Sequence, residues 1–149
     1  MVEEQIDWRK TVEAILENAN RPFVPISKSF IQQPRGSKER SSVLSQFVTN
    51  GDLRGLKAYL LIAASASSPD TDNEWYTSLP LQTWARAFGC SETAGSVATA
   101  KAAATRILLR LQQRGLIEKS RCGKERKIKI KLLAQDGSGE EYQRPASRY

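Results

Sequence analysis

The chain has 149 residues, 40% hydrophobic and 26% charged, an ordinary composition for a globular domain that buries a core without staples. It contains no histidine, which excludes Ser-His-Asp and Cys-His catalysis and most zinc chemistry. The formal net charge of +7 is concentrated: residues 101–133 hold eleven Lys or Arg against two acids, a local +9, while the remainder sums to −2.

Residues 3–19 have the spacing of an amphipathic helix. Ile6, Val12, Ile15, Leu16 and Ala19 fall on one side, with Glu3, Glu4, Lys10, Glu13 and Glu17 elsewhere. Arg21-Pro22 ends it. The segment Phe23–Ile31, β-branched and aromatic around Pro25, reads as extended, and residues 33–38 as a loop. Ser41 or Ser42 caps a short helix carrying Val43, Leu44, Phe47 and Val48, closed by Asn50-Gly51. Asp52 caps a stronger helix in which Leu53, Leu56, Leu60, Ala63 and Ala64 recur at helical spacing, with Tyr59 beside them. Residues 66–74 form a polar loop and Trp75-Tyr76-Thr77 a brief strand.

The next helix takes Ser78 as cap and Pro80 in its first turn. Leu81, Trp84, Ala85 and Phe88 line one side, and Gly89 stops it. A long Ala-rich helix then spans 95–114, with Val97, Ala100, Ala104, Ile107, Leu108 and Leu111 as its buried stripe and Gly115 as its end. Beyond it the period changes from helical to two. Leu116–Arg121 is a strand and Cys122–Glu125 a turn. In Arg126–Leu133, Ile128, Ile130 and Leu132 alternate with Lys127, Lys129 and Lys131. The expected hairpin has an apolar inner face and a cationic outer face. The chain thus divides into an N-terminal helical extension and extended segment (1–50), a central domain (51–134) and a flexible tail (135–149). The fold class is mainly α with a small β-hairpin.

The stretch Thr105-Arg-Ile-Leu-Leu-Arg-Leu-Gln-Gln-Arg-Gly-Leu-Ile-Glu-Lys119, followed by Lys124-Glu-Arg-Lys-Ile-Lys-Ile-Lys131, carries the strongest signal. It resembles the helix, Gly-Leu-Ile, wing passage of MarR-type regulators and of the winged-helix domains of plasmid replication initiators. Lys124-Glu125-Arg126 stands in place of the Asp-Arg pair of the MarR wing. The resemblance implies a winged helix-turn-helix domain over about residues 51–134. It also implies sequence-specific binding of double-stranded DNA, as a transcriptional regulator or in plasmid or phage replication and partition. A winged-helix module that binds protein instead is the rival from another class, and an enzyme is not expected.

Elementary physics supports the same surface. DNA is a dense line of negative charge, and Lys/Arg contacts to it release counterions. A helix fits the major groove and reads base edges from its N-terminal half. At 100° per residue, Gly95, Thr99, Ala102, Ala103, Arg106, Arg110 and Gln113 fall opposite the buried stripe, with Ser96, Lys101 and Thr105 on its flanks. Thr99 suits a thymine methyl and Arg106 a guanine or phosphate, although the alanines are also simply good helix formers. The candidate contacts are therefore Ser96, Thr99, Lys101, Arg106 and Arg110 on the helix. Lys119, Arg121, Lys124, Arg126 and Lys127 are the candidates on the hairpin, where a cationic tip enters a minor groove or rides along phosphates. Lys129 and Lys131 lie further from the tip, where the alternative to a DNA contact is that they simply face solvent and blunt a strand edge.

Other features point to less. Asp70-x-Asp72-x-Glu74 lacks the Gly and the terminal Glu of a calcium loop, with Trp75 and Leu81 at those positions. Cys90 and Cys122 are too few for a disulfide framework and lack metal spacing, so a reduced, cytoplasmic setting is expected, with no cofactor. Cys122, in a cationic turn, is either a redox-sensitive thiol or an incidental one. The longest nearly apolar run, residues 58–66, is too short to span a bilayer, and the acidic Met1-Val2-Glu3-Glu4 is not a signal peptide. Helix 3–19 needs a partner for its apolar side, its own domain or a second subunit in a homodimer, to which Leu109 would add.

Overall fold

The computed structural model of the chain describes residues 8–19, 26–31, 42–66, 75–90, 95–122 and 127–142. Helices α1 (Trp8–Ala19), α2 (Lys28–Ile31), α3 (Val43–Thr49) and α4 (Leu53–Ser65) come first. Strand β1 (Tyr76–Pro80) follows, then α5 (Leu81–Ala87), α6 (Val97–Gln113) and the strands β2 (Ile117–Cys122) and β3 (Lys127–Leu132). The molecule is mainly helical, with one antiparallel three-stranded sheet in the order β1-β3-β2.

Local capping chemistry sets most of these boundaries. Ser42 accepts the Ser45 N–H at 3.2 Å and opens α3, and Asp52 accepts the Gly55 N–H at 3.0 Å and opens α4. Ser96 accepts the Thr99 N–H at 3.2 Å and opens α6. Helix α5 begins differently from expectation. Ser78 is no cap; it lies in β1 opposite Lys129, and the strand runs directly into the helix through Pro80, which makes no side-chain cap bond. Once Ser78 is paired in the sheet, proline's fixed φ starts the helix without a capping side chain.

Packing overrides the sequence pattern in three other places. Residues 28–31, expected to be extended, make a helical turn. Ser27 Oγ accepts the Ser29 N–H at 3.2 Å, and the Phe30 N–H donates to the Ser27 carbonyl at 3.1 Å. The turn places Phe30 in the core, stacked on Tyr59 with ring centroids 5.3 Å apart and beside Phe47 at 6.4 Å. Helix α4 buries Ala58, Tyr59, Leu61, Ile62, Ala63 and Ala64, whereas Leu53 is 69% and Leu60 37% exposed. This helix is apolar nearly all round, so periodicity cannot choose its inner side. The small Ala58 and Ala63 and the ring of Tyr59 choose it by fitting their neighbours. The remaining leucines, with Val12 and Leu16 of α1, line an open apolar groove of about 360 Å³.

The third difference lies at the end of the chain. Residues 135–142 begin the segment expected to be a flexible tail, yet they fold back onto the body. Leu133 bridges Glu141, the Ala134 N–H donates to the Glu140 carbonyl at 2.8 Å, and Tyr142 is buried edge-on against Trp75. Gln135 is buried and accepts the Ser27 N–H. Residues 143–149 lie outside the described residues.

The buried stripe of α6 is Ala100, Ala104, Ile107, Leu108 and Leu111, as the spacing predicts, except that Val97 is 55% exposed at its start. Leu116 and Ile117 of the following segment, Ile130 and Leu132 of β3, and Trp84 and Phe88 of α5 complete that side of the core. Gly115 joins α6 to β2 with φ of +73°, and a Cβ there would meet the Gly137 carbonyl oxygen at 2.5 Å and the Gly139 nitrogen at 3.0 Å. Gly89 has a similar φ of +77° but open space around it. Gly89→Ala is therefore expected to lower stability by roughly 1–2 kcal/mol, from backbone strain alone. Gly115→Ala should cost about 1–3 kcal/mol more, from the added clash with backbone. Chemical denaturation midpoints of the two variants test this ordering; equal losses would show that the 137–139 turn does not press on Gly115.

Candidate nucleic-acid interface

Helix α6 projects its beginning. Residues 95–99 are all exposed, and Ala100 is the first to enter the core. From there the burial follows the helical period, leaving Ala102, Arg106, Leu109, Arg110, Gln112 and Gln113 exposed, with Lys101, Ala103 and Thr105 half-buried on the flanks. At about 1.5 Å per residue the helix is some 25 Å long, with a thin, alanine-lined outer side that lets a partner come close to its backbone.

Ser96 and Thr99 stand together at its tip, their hydroxyl oxygens 2.9 Å apart, with Ser96 occupied as the helix cap. Lys101 is half-buried, and its carbonyl accepts the Thr105 hydroxyl at 2.9 Å. Arg106 is exposed and has no ion pair among the described residues. Arg110 differs. Its Nη2 donates to Asp52 Oδ1 at 3.1 Å, so one expected cation is tied to an acid at the start of α4. The sequence spacing hides this pairing, because the partners are 58 positions apart. Arg114, which the spacing did not single out, joins the same tie at 3.8 Å from Asp52 Oδ2 and lies over the Phe47 ring, 4.6 Å from its centroid.

The hairpin is two paired antiparallel strands, from Ile117 opposite Leu132 to Cys122 opposite Lys127. β1 covers the far edge of β3, from Tyr76 opposite Lys131 to Pro80 opposite Lys127. The sequence pattern predicts only a brief strand at 75–77, and pairing with β3 carries the strand on to Pro80. Directly opposed residues share a face. Thr77, Ile130 and Lys119 form one row of the inner face, and Ser78, Lys129 and Ser120 one row of the outer face. The outer face of β3 is cationic, as expected, with Lys127 exposed and Lys129 4.4 Å from the Tyr76 ring centroid. Lys119 is the exception, since it sits on the inner side of β2, opposite Ile130, and its N–H donates to Gln112 Oε1 of α6 at 3.2 Å. Arg121 lies in β2 at the register position of Ile128, near the hairpin tip. Lys124 and Arg126 fall outside the described residues. The structure thus brings Lys119 to the seam between β2 and α6, with Lys127 at the far end of the same ribbon.

No group of three or more His, Cys, Asp or Glu residues is arranged to hold a metal among the described residues, and none of the described helices is long and apolar enough to cross a membrane. Cys90 is buried beyond the end of α5, and burial pushes its thiol up, against the opposing pull of Arg54 and Arg106. A raised thiol with no access is a poor nucleophile. In a Cys122→Ser variant, native protein should therefore titrate with no reactive thiol in a disulfide-exchange assay, and with one after denaturation. Rapid labelling of the native variant would show that the Cys90 seat opens. Compared with known protein families, curated proteins and solved structures, the chain shows no significant match to any of them.

Proposed function

We propose that this protein binds double-stranded DNA through a winged helix-turn-helix formed by α4, β1, α5, α6, β2 and β3, and that it acts as a sequence-specific transcriptional regulator. The observation that carries the reading is the exposed side of α6. The capping Ser96 and the first three residues of that helix, Val97 to Thr99, are all exposed, Arg106 stands on its outer side, and the helix turns at Gly115 directly into a lysine-bearing ribbon that packs against it. The strand order β1-β3-β2, with α5 and α6 between β1 and β2 among the described residues, supports the same reading. So does the charge distribution, +9 over residues 101–133.

In this reading the first half of α6 enters the major groove. Ser96 and Thr99 approach base edges or the phosphates flanking them, Lys101 lies along one strand, and Arg106 pairs with a guanine or a phosphate. Arg121, Lys124, Arg126 and Lys127 hold the backbone or minor groove beside it, while Lys119 stays at the seam with α6. Arg110 is left to Asp52.

Binding of a duplex carrying a selected site, followed as a function of salt, tests the proposal. Affinity should fall steeply, by about 0.9 in log–log slope for each phosphate neutralised. Changing Arg121, Lys124, Arg126 and Lys127 together to Ala should flatten that slope and weaken all duplexes alike. An affinity that ignores salt would favour a protein-binding role for the same surface. Arg106→Ala should instead alter preference among sequences, by about 1–3 kcal/mol if it reads a guanine. A uniform loss would make Arg106 a backbone contact.

A further inference from the structure

The tie between α4 and α6 rests on one carboxylate with three claimants. Asp52 Oδ1 accepts the Gly55 N–H at 3.0 Å and Arg110 Nη2 at 3.1 Å, while Arg114 Nη2 lies 3.8 Å from Oδ2. The seat is shaped for it: a Cβ on Gly55 would stand 2.7 Å from the Asp52 carboxyl carbon. The two arginines are held unequally. Arg114 is 18% exposed and lies over the Phe47 ring; Arg110 is 49% exposed, one helical turn beyond Arg106 on the outer side of α6. Arg114 is locked in the body, whereas Arg110 is reachable from solution.

We infer that Asp52 withholds Arg110 from DNA and thereby limits how many phosphates the protein neutralises. The inference rests on the DNA-binding reading above. A guanidinium binds a carboxylate or a phosphate with the same fork of N–H donors, so Asp52 and a backbone phosphate compete for one group. An exposed ion pair is weak in water, but here the acid is fixed by the helix cap and already in place, so no search is needed to form the pair. With Asp52 present, Arg110 contributes a neutral pair to the interface and releases no counterion when DNA arrives. Asp52 is a positioning residue that sets affinity through Arg110.

Asp52→Asn tests this, because Asn caps a helix as well as Asp and keeps the shape while removing the charge. With full-length protein and a duplex of fixed sequence, the slope of log affinity against log salt should become steeper by about 0.9, which is about eightfold in affinity over each tenfold dilution of salt. Adding Arg110→Gln to Asp52→Asn should return the slope to the parent value. Arg110→Gln alone, which leaves the cap untouched, should not change the slope. An unchanged slope in Asp52→Asn, or a loss of about 0.9 in Arg110→Gln alone, overturns the inference while leaving DNA binding intact. Equal tightening by Asp52→Asn with and without Arg110 would also overturn it, since that is the general field of a removed negative charge. If the parent protein holds no duplex even at low salt, the DNA reading falls and the inference falls with it.

Discussion

The one-sided burial of α6 is the constraint on which the rest of the structure depends. Ala100, Ala104, Ile107, Leu108 and Leu111 leave solvent together, and the small alanines let the neighbouring elements approach closely. Fixing that side inward fixes the opposite side outward, so Ala102 and Arg106 are presented to solvent by the packing behind them, and Thr99 by that packing together with its bonds to Ser96. The same packing sets where the helix must end. Leu111 and Leu116 are both fully buried on either side of Gly115, and the chain reverses between them with a left-handed residue that only glycine accommodates beside the 137–139 turn.

Charge in this protein is divided by function of position rather than by amount. Arg106 and Arg110 belong to α6 and Arg114 caps its end, but Asp52 draws Arg110 and Arg114 toward the α4 cap and leaves Arg106 on the open side. On the sheet, Lys129 lies over Tyr76 and Lys119 faces inward by the α6 seam, while Lys127 reaches the tip. A count of eleven bases over residues 101–133 therefore overstates the cations facing outward together. The positive field is real, yet its strength at any surface depends on which arginines the fold has already neutralised.

The extremities show the reverse of what composition suggests. The segment after Leu133 is poor in apolar residues, but Gln135 and Tyr142 are enough to anchor it, one by accepting the Ser27 N–H and the other by its edge contact with Trp75. Through Gln135 the start of α2 and the end of the sheet are tied together across 108 positions. Phe30 adds the second link, stacking on Tyr59, so the N-terminal extension and the central domain share one core.

Capping residues, helix stops and the alternation of Ile and Lys are local signals, and they were sufficient for the sequence alone to determine α3, α4, α6 and the β2–β3 hairpin, together with the exposed side of α6. They work because a cap, a left-handed glycine or a two-residue period acts within a few positions of itself. Four features were decided only by tertiary structure: the inner side of α4, the helical turn at Phe30, the pairing of β1 with β3, and the capture of Arg110 by Asp52. In each, the deciding partner is distant in sequence and its pull exceeds a weak or ambiguous local preference. A helix apolar all round has no preferred side until aromatic rings meet it, and an arginine does not reveal its carboxylate until the chain has folded the two together.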